Sequence, residues 1–507
     1  MYRKDNPHQL IFEDFYLPFG GKLRSDNRWV ILSQQIPWQE IEQEYVTHFE
    51  GCDTGNVAKT ARVALGALII KERLGLTDRE TVHQIQENHY LQYFLGFPEY
   101  EDKPPFDHSL MVHFRKRFDK ETLAKINEKI VLQATAPEEP TEATEPSSDD
   151  DEPPANQGKL IMDATCTPAD ITYPTDLKLL NEAREKTEEM IDVMHTPFIG
   201  QRKKPRTYRQ RARQDYLAVA KQKKPGPHKI RKAIRKQLGY LGRNLTIIEG
   251  MTQENLLTLL DKRLYRLLLV AQELYRQQLQ MYTDRNHSIA DRIVSIYQPH
   301  VRPIVRGKAK NPVEFGAKIS VSLVNGYSFV DTLSWDAFNE SGDLVGQVAA
   351  YRNRFGFYPE SVHADQIYRT RENRRFCKSH GIRLSGPPLG RPRQVTDANK
   401  VELAQARRQQ RQDELDRIAV EGKFGQGKRR FSLGRIMAKL SETSEAVIMV
   451  SFIVMNLEKI LSSIIIFISG SAAWLRHWLS NSHHAYNRWR QWTPGAILKT
   501  VSDVAWV

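Results

Sequence analysis

Two β-rich runs, EFGAKISVSLV and YSFVDTLSW, are separated only by Asn325-Gly326. A two-residue loop of this kind needs left-handed backbone at both positions, which Asn and Gly tolerate, and it forces the flanking strands to pair antiparallel. The rest of the C-terminal half must be arranged around that hairpin. Upstream, KLIMDAT reads as a buried strand carrying Asp163 near its end. Downstream, SGDLVGQVAAYRNRFG reads as a helix, ESVHAD as a short strand ending on Asp365, and YRTRENRRFCKSHG as a helix closed by Gly381. IRLSG is another short strand, and TDANKVELAQARRQQRQDELDRIAVEGK is a long charged helix that delivers Glu421.

Helical stretches fill 175–297 between the first strand and the hairpin. With that insertion set aside the order is β-β-β-α-β-α-β-α, the order of an RNase H-like domain. The fold class expected is α+β: an RNase H-like mixed sheet with flanking helices and a large helical insertion, preceded by an all-α N-terminal domain. Residues 1–55 show aromatic and apolar clusters without clear periodicity. From 57 the pattern is helical through VAKTARVALGALIIKERLGL, a Thr77-Asp78 start and DRETVHQIQENHYLQYFLGF. EDKPPFDHS then leads into SLMVHFRKRF, where Asp107 or Ser109 can cap and Arg115, Lys116 and Arg117 project. These helices fit either a helix-turn-helix-like DNA-binding unit or a bundle with a solvated basic end. Residues 137–152, PEEPTEATEPSSDDDE, hold eight acids and no base and read as a disordered linker. The division expected is a helical DNA-binding domain at 1–130, the acidic linker at 131–157, a catalytic domain at 158–174 and 298–465, the insertion at 175–297, and a tail at 466–507.

The formal charge of +13 over 507 residues points to a polyanionic partner. It is concentrated in 202–236, which holds fifteen Lys/Arg against the single acid Asp215 and interleaves Tyr208 and Tyr216. Arg202, Lys203, Lys204, Arg231 and Lys232 lie in RKKPRTYRQRARQ and HKIRKAIRKQ. A merely solvated helix face would mix in acids, so this stretch is expected to meet double-stranded DNA. Three scattered cysteines, Cys52, Cys166 and Cys377, without a C-x-x-C pair argue against a disulfide framework or a zinc site and for a reducing compartment. The first residues lack the apolar core of a signal peptide. AVIMVSFIVM (446–455) and ILSSIIIFISGSAAWL (460–475) are apolar, but Asn456, Glu458 and Lys459 interrupt them. Each run is shorter than the roughly 18–20 residues that cross a bilayer, so buried core helices are expected and no membrane partner.

Asp163, Asp365 and Glu421 stand where the fold would gather acids. Taken singly they read as a strand-end turn former, a helix N-cap and a surface helix charge. Taken together in a basic chain they suit two-metal phosphodiester chemistry, which needs rigid hard-oxygen ligands. Arg417, Glu421 and Lys428 share one face if their helix is continuous, so one acid would serve metal and two cations DNA phosphates. Arg417–Glu421 also reads as an ordinary i,i+4 ion pair. His363 shares a strand face with Asp365 and fits either a positioning or a structural role. GKFGQGKR (422–429) has P-loop spacing, G-x-x-x-x-G-K, but lacks both the preceding strand and the following Ser/Thr.

LIMDATCTPADI, RPIVRGKAKNPVEFGAKISVSLV, HADQIYRTRENRRFCKSHGIRLSGP and VEGKFGQGKRRFSLGRI together closely resemble insertion-sequence transposases of the DDE class. The helices through PPFDHSLMVHFRKRF look like the N-terminal domain that accompanies that core. The resemblance implies Asp163, Asp365 and Glu421 as catalytic triad and metal ligands, with two Mg²⁺ ions and Mn²⁺ as a substitute. It implies cutting at terminal inverted repeats, attack of the 3′-hydroxyl on target DNA, at least a homodimer at synapsis, and a cytoplasmic location. Arg417, Glu421 and Lys428 match the R, E and K of the family's Y-(2)-R-(3)-E-(6)-K signature, whereas Glu414 occupies the Tyr position. Lys423, Lys428, Arg429 and Arg430 are expected at DNA phosphates, with the glycines allowing close approach. The alternatives are a catalytically inactive DNA-binding derivative of a transposase and a P-loop nucleic-acid NTPase.

Overall fold

The structure is a computed structural model that describes residues 17, 21–49, 57–136, 155–254, 256–305, 313–388, 390, 391 and 394–492, with side chains omitted at 48 and beyond 466. The acidic stretch 137–152 lies outside the described residues, as does Cys52. Helices precede the first strand: Arg28–Gln35 (α1), Trp38–Val46 (α2), Ala61–Leu74 (α3), Asp78–Glu87 (α4), His89–Phe94 (α5), Leu110–Arg117 (α6) and Lys120–Thr135 (α7). Thr77 caps α4 by accepting from the Glu80 amide at 3.2 Å. Ahead of α6 it is Asp107, not Ser109, whose side chain takes a backbone amide, that of Ser109 itself at 2.9 Å. α1 and α2 fall where no periodicity is legible. α1 buries five consecutive residues, Trp29–Ser33, so it carries no amphipathic stripe for a 3.6-residue period to reveal.

Lys159–Pro168 (β1) opens the sheet, and the insertion follows as Asp176–His195 (α8), Arg209–Ala220 (α9), Pro227–Thr252 (α10) and Lys262–Asp284 (α11). These helices bury a core of their own around Leu180, Met190, Leu241 and Leu274. The chain returns as Arg302–Val305 (β2), Val313–Val324 (β3) and Tyr327–Ser334 (β4). Asn325 and Gly326 have φ of +50° and +79°, as a type I′ hairpin requires. Asp343–Phe355 (α12), Ser361–His363 (β5), Arg371–Ser379 (α13), Arg383–Leu384 (β6), Lys400–Arg430 (α14) and Ser441–Trp492 (α15) complete the order.

The sheet is mixed. β1 pairs antiparallel with β3 over Ile161–Pro168, but parallel with β5 only over Lys159–Ile161. β6 adds in parallel to β5, and β4 runs antiparallel to β3. The order is therefore β4-β3-β1-β5-β6, with β2 on the same edge of β3 as β4, beside Val313–Gly316. β2 is not apparent in the sequence: four residues containing a proline carry too little alternation.

The two apolar runs near the C-terminus form one helix rather than two. Asn456 does not break it because its side chain is satisfied sideways, accepting from the Ser328 amide at 2.9 Å and donating to Asn127 and to the Ser328 carbonyl. Ser441–Ile466 is long and apolar enough to cross a membrane, and 67% of its most apolar window is buried inside the protein. Its burial is against α3, α6, α7 and β4. One continuous hydrophobic core consequently runs from Leu68 and Phe114 through Phe452 to Ile319 and Val362.

Candidate active site

Asp163 sits in mid-strand, not near a strand end, because β1 continues to Pro168 along β3. On its other side β5 stops pairing at Ile161, so Asp163 lies just beyond the point where the parallel neighbour leaves. Ile161 is opposite His363, and Asp163 and Asp365 each follow two residues later, so both acids project from the same face. α14 crosses that face: His363 Nδ1 is 3.7 Å from Asp413 on the helix. The position of α14 is fixed by Arg383, which donates to both oxygens of Asp413 at 2.6 and 3.0 Å, and by Lys159, 2.7 Å from Asp416.

One guanidinium joins the acids. Arg417 is 3.5 Å from Asp365 and 3.6 Å from Glu421. Asp365 also caps the short helix after it, accepting from the Gln366 amide at 2.7 Å, so its dull reading as an N-cap holds alongside its place in the cluster. Burial, reinforced by Glu340 and Asp365 nearby, pushes the Asp163 carboxyl up to about 6, against the Ala164 amide and Arg417. Asp163 thus lacks an adequate counter-charge. Among the described residues, no group of three or more His, Cys, Asp or Glu side chains is disposed to hold a metal ion in this arrangement. The donor set is right in kind, all carboxylate oxygen, while Arg417 stands between two of its members.

Sequence reading missed Glu340, which pairs with Lys318 at 2.8 Å and acts electrostatically on Asp163. It opens a single helical turn, Glu340–Gly342, where a lone acid carries no pattern. It also missed Asp413, 5% exposed, the residue that anchors α14. His363 is fully buried, its Nε2 3.0 Å from Ser361 Oγ, and is structural. Cys166 and Cys377 are buried, and burial pushes the Cys377 thiol up to about 11, as packing residues require.

The expected DNA-contacting cations divide. α14 is continuous, so Arg417, Glu421 and Lys428 do share a face. GKFGQGKR is part of that helix, so it offers no phosphate-cradling loop. Gly422 is open, whereas Gly427 is buried, and a Cβ there would meet Leu433 at 2.6 Å. Arg429 is exposed, and Arg430 reaches Glu458 at 3.0 Å. Lys423 is half-buried on another side of the helix, and burial, with Lys459 nearby, lowers its pKa to about 8. Arg115 does not project: it is buried and donates to both oxygens of Asp78 at 2.6 and 2.9 Å, cross-linking α6 to α4. Arg117 donates to Tyr45 and stacks over Phe49, leaving Lys116 exposed. In the insertion Lys203 and Lys232 are exposed, Arg202 pairs with Glu254, Lys204 with Asp192, and Arg231 stacks on Tyr282.

The comparisons with known proteins bear on both ends of the chain. Residues 18–117 match the family described as Transposase domain (DUF772), and residues 362–458 match Transposase DDE domain. The second match includes Asp365 and Glu421 and leaves Asp163 outside. An uncharacterized protein, ORF8 in the nfe locus of Rhizobium meliloti, is 28% identical over 154 residues, covering 30% of this chain and 68% of that one. No solved structure matches the chain. The chain is thus similar to a transposase domain over the helices ahead of the sheet and to a transposase DDE domain from β5 to α15.

Proposed function

We propose that this chain cuts DNA at the terminal inverted repeats of its element and joins the freed 3′-hydroxyls to target DNA by two-metal chemistry. What supports the reading is Arg417, which lies 3.5 Å from Asp365 at the end of β5 and 3.6 Å from Glu421 on α14 and acts electrostatically on Asp163 of β1. The strand order β4-β3-β1-β5-β6, with β5 and β6 parallel to β1, supports an RNase H-like core. Two Mg²⁺ ions, or Mn²⁺ in their place, would be held by the three carboxylates and would supply an activated oxygen nucleophile and a stabilised leaving oxygen. Asp163 is the rigid member, fixed in mid-strand and short of positive charge. Arg417 now shares its charge between Asp365 and Glu421 and is the nearest cation to a phosphate laid against them. Lys428, Arg429 and the exposed lysines of α6 and the insertion supply backbone contacts to duplex DNA. Handling two element ends at once calls for at least a homodimer, acting in the cytosol where that DNA lies.

The test is strand cleavage on duplexes carrying the sequences that flank the reading frame. Cutting is expected with Mg²⁺ and without ATP, and Asp163→Ala is expected to abolish it while end binding is largely kept. Absence of metal-dependent cutting on those ends overturns the proposal.

A further inference from the structure

The first half of α14 stands largely exposed on the protein. The helix is 31 residues long, and Arg383 and Lys159 grip it from Asp413 onward. Residues 400–412, KVELAQARRQQRQ, precede that grip. Eleven of the thirteen are exposed, and only Leu403 and Gln410 are half-covered. The helix start has no side-chain cap, and Val401 is 69% exposed. A helix that is polar all round and this short is marginal in water on its own. Its charge is one-sided: Lys400, Arg407, Arg408 and Arg411 against Glu402. Among the described residues, Arg407, Arg408 and Arg411 show no ion pair, and four glutamines accompany them.

We infer that this projecting arm is a duplex-DNA contact, laid along the backbone of the same DNA whose scissile phosphate faces Glu421. The inference rests on the DNA-cutting reading for where that phosphate lies. Helical geometry makes it specific. Counting about 100° per residue, Arg407 lies roughly 40° round the helix from Glu421 and Arg411 roughly 80°, while Arg408 lies roughly 140° away. Arg407 and Arg411 are i,i+4 neighbours on the flank that continues the catalytic face, and Arg408 turns from it. At 1.5 Å per residue Arg407 stands about 21 Å from Glu421 along the axis, about six base pairs of duplex. Because one rigid helix carries both, engagement of the arm fixes how the DNA is presented to Glu421.

The test is the salt dependence of binding to a mixed-sequence linear duplex, measured without divalent metal so that no cutting is needed. Each phosphate contact contributes about 0.9 to the log–log slope. The double variant Arg407→Gln/Arg411→Gln is expected to lose about 1.8 from that slope. The Arg407→Lys/Arg411→Lys double variant is expected to keep it, and Arg408→Gln to leave it unchanged. An unaltered slope in the glutamine double variant overturns the inference, as does an equal loss from Arg408→Gln alone. So does a slope that holds while the dimer dissociates, which would make a second copy of the chain the occupant. If the slope falls as stated but the wild-type protein cuts no DNA, the arm stands and the cleavage proposal falls.

Discussion

His300 shows how a single residue's surroundings set its charge. It lies edge-on against Trp335, ring centroids 4.4 Å apart. Burial, with Arg266 and Arg302 adding repulsion, lowers its pKa to about 4. The unfolded value is near 6.5, so the native state binds fewer protons through that interval. Its contribution to stability is therefore present above about pH 6.5 and is lost as pH falls toward about 4. Thermal melts across that window should show His300→Gln with a flatter acid limb than the wild type. Equal slopes would mean that His300 is not held neutral. Nothing in the sequence around His300 announces this, because its neighbours come from other segments. Asp163, Asp365 and Glu421 were legible for the opposite reason: each sits in or beside an element whose order could be read. Glu340 and Asp413 were not, since one opens a single helical turn and the other is a single acid within a charged helix.

At the scale of the element, α14 tests what its glycines are for. A Cβ at Gly422 meets nothing within 4 Å, whereas one at Gly427 meets Leu433 at 2.6 Å and Met455 at 3.3 Å. Gly422→Ala should stabilise the protein by about 0.5–1 kcal/mol, the ordinary helix gain. Gly427→Ala should cost about 1–3 kcal/mol through overpacking, because Leu433 is itself buried and has nowhere to move. Denaturant midpoints check both signs. If Gly422 also keeps room for a DNA backbone, its variant will be more stable yet cut more slowly. P-loop spacing in this stretch is an accident of three glycines in a helix: the missing strand and Ser/Thr already spoke against a P-loop, and the continuity of the helix agrees. The β3–β4 hairpin was readable because turn chemistry and β-rich runs agree. α1, α2 and β2 were not, since each is fixed by what it packs or pairs against rather than by its own period.

For the whole molecule, the decisive fact is that the N-terminal helices share a core with the sheet. Composition suggested separate bodies, because an acidic run divides the sequence. Arg354 on α12 lies 2.6 Å from Glu128 on α7 and 2.8 Å from Asp331 on β4, with 9% of its side chain exposed. Burial works against its charge, but Asp331 and Glu128 outweigh it and raise its pKa. Beside it, Asn127, Ser328 and Asn456 tie α7, β4 and α15 together. A buried ion pair adds little net stability when complete, but removing one partner strands the other and costs about 3–5 kcal/mol. Asp331→Ala should therefore lower the unfolding midpoint by that order. The loss should fall on both regions at once, because the stranded Arg354 faces α7 as well as β4. Fluorescence from Trp29 and Trp38 reports the N-terminal helices, and Trp335 reports the sheet side. Their transitions should coincide in the wild type and move together in the variant. If the N-terminal tryptophans melt on their own while Trp335 holds, the shared core does not make the two regions one cooperative unit, and the N-terminal helices would be free to move apart from the sheet.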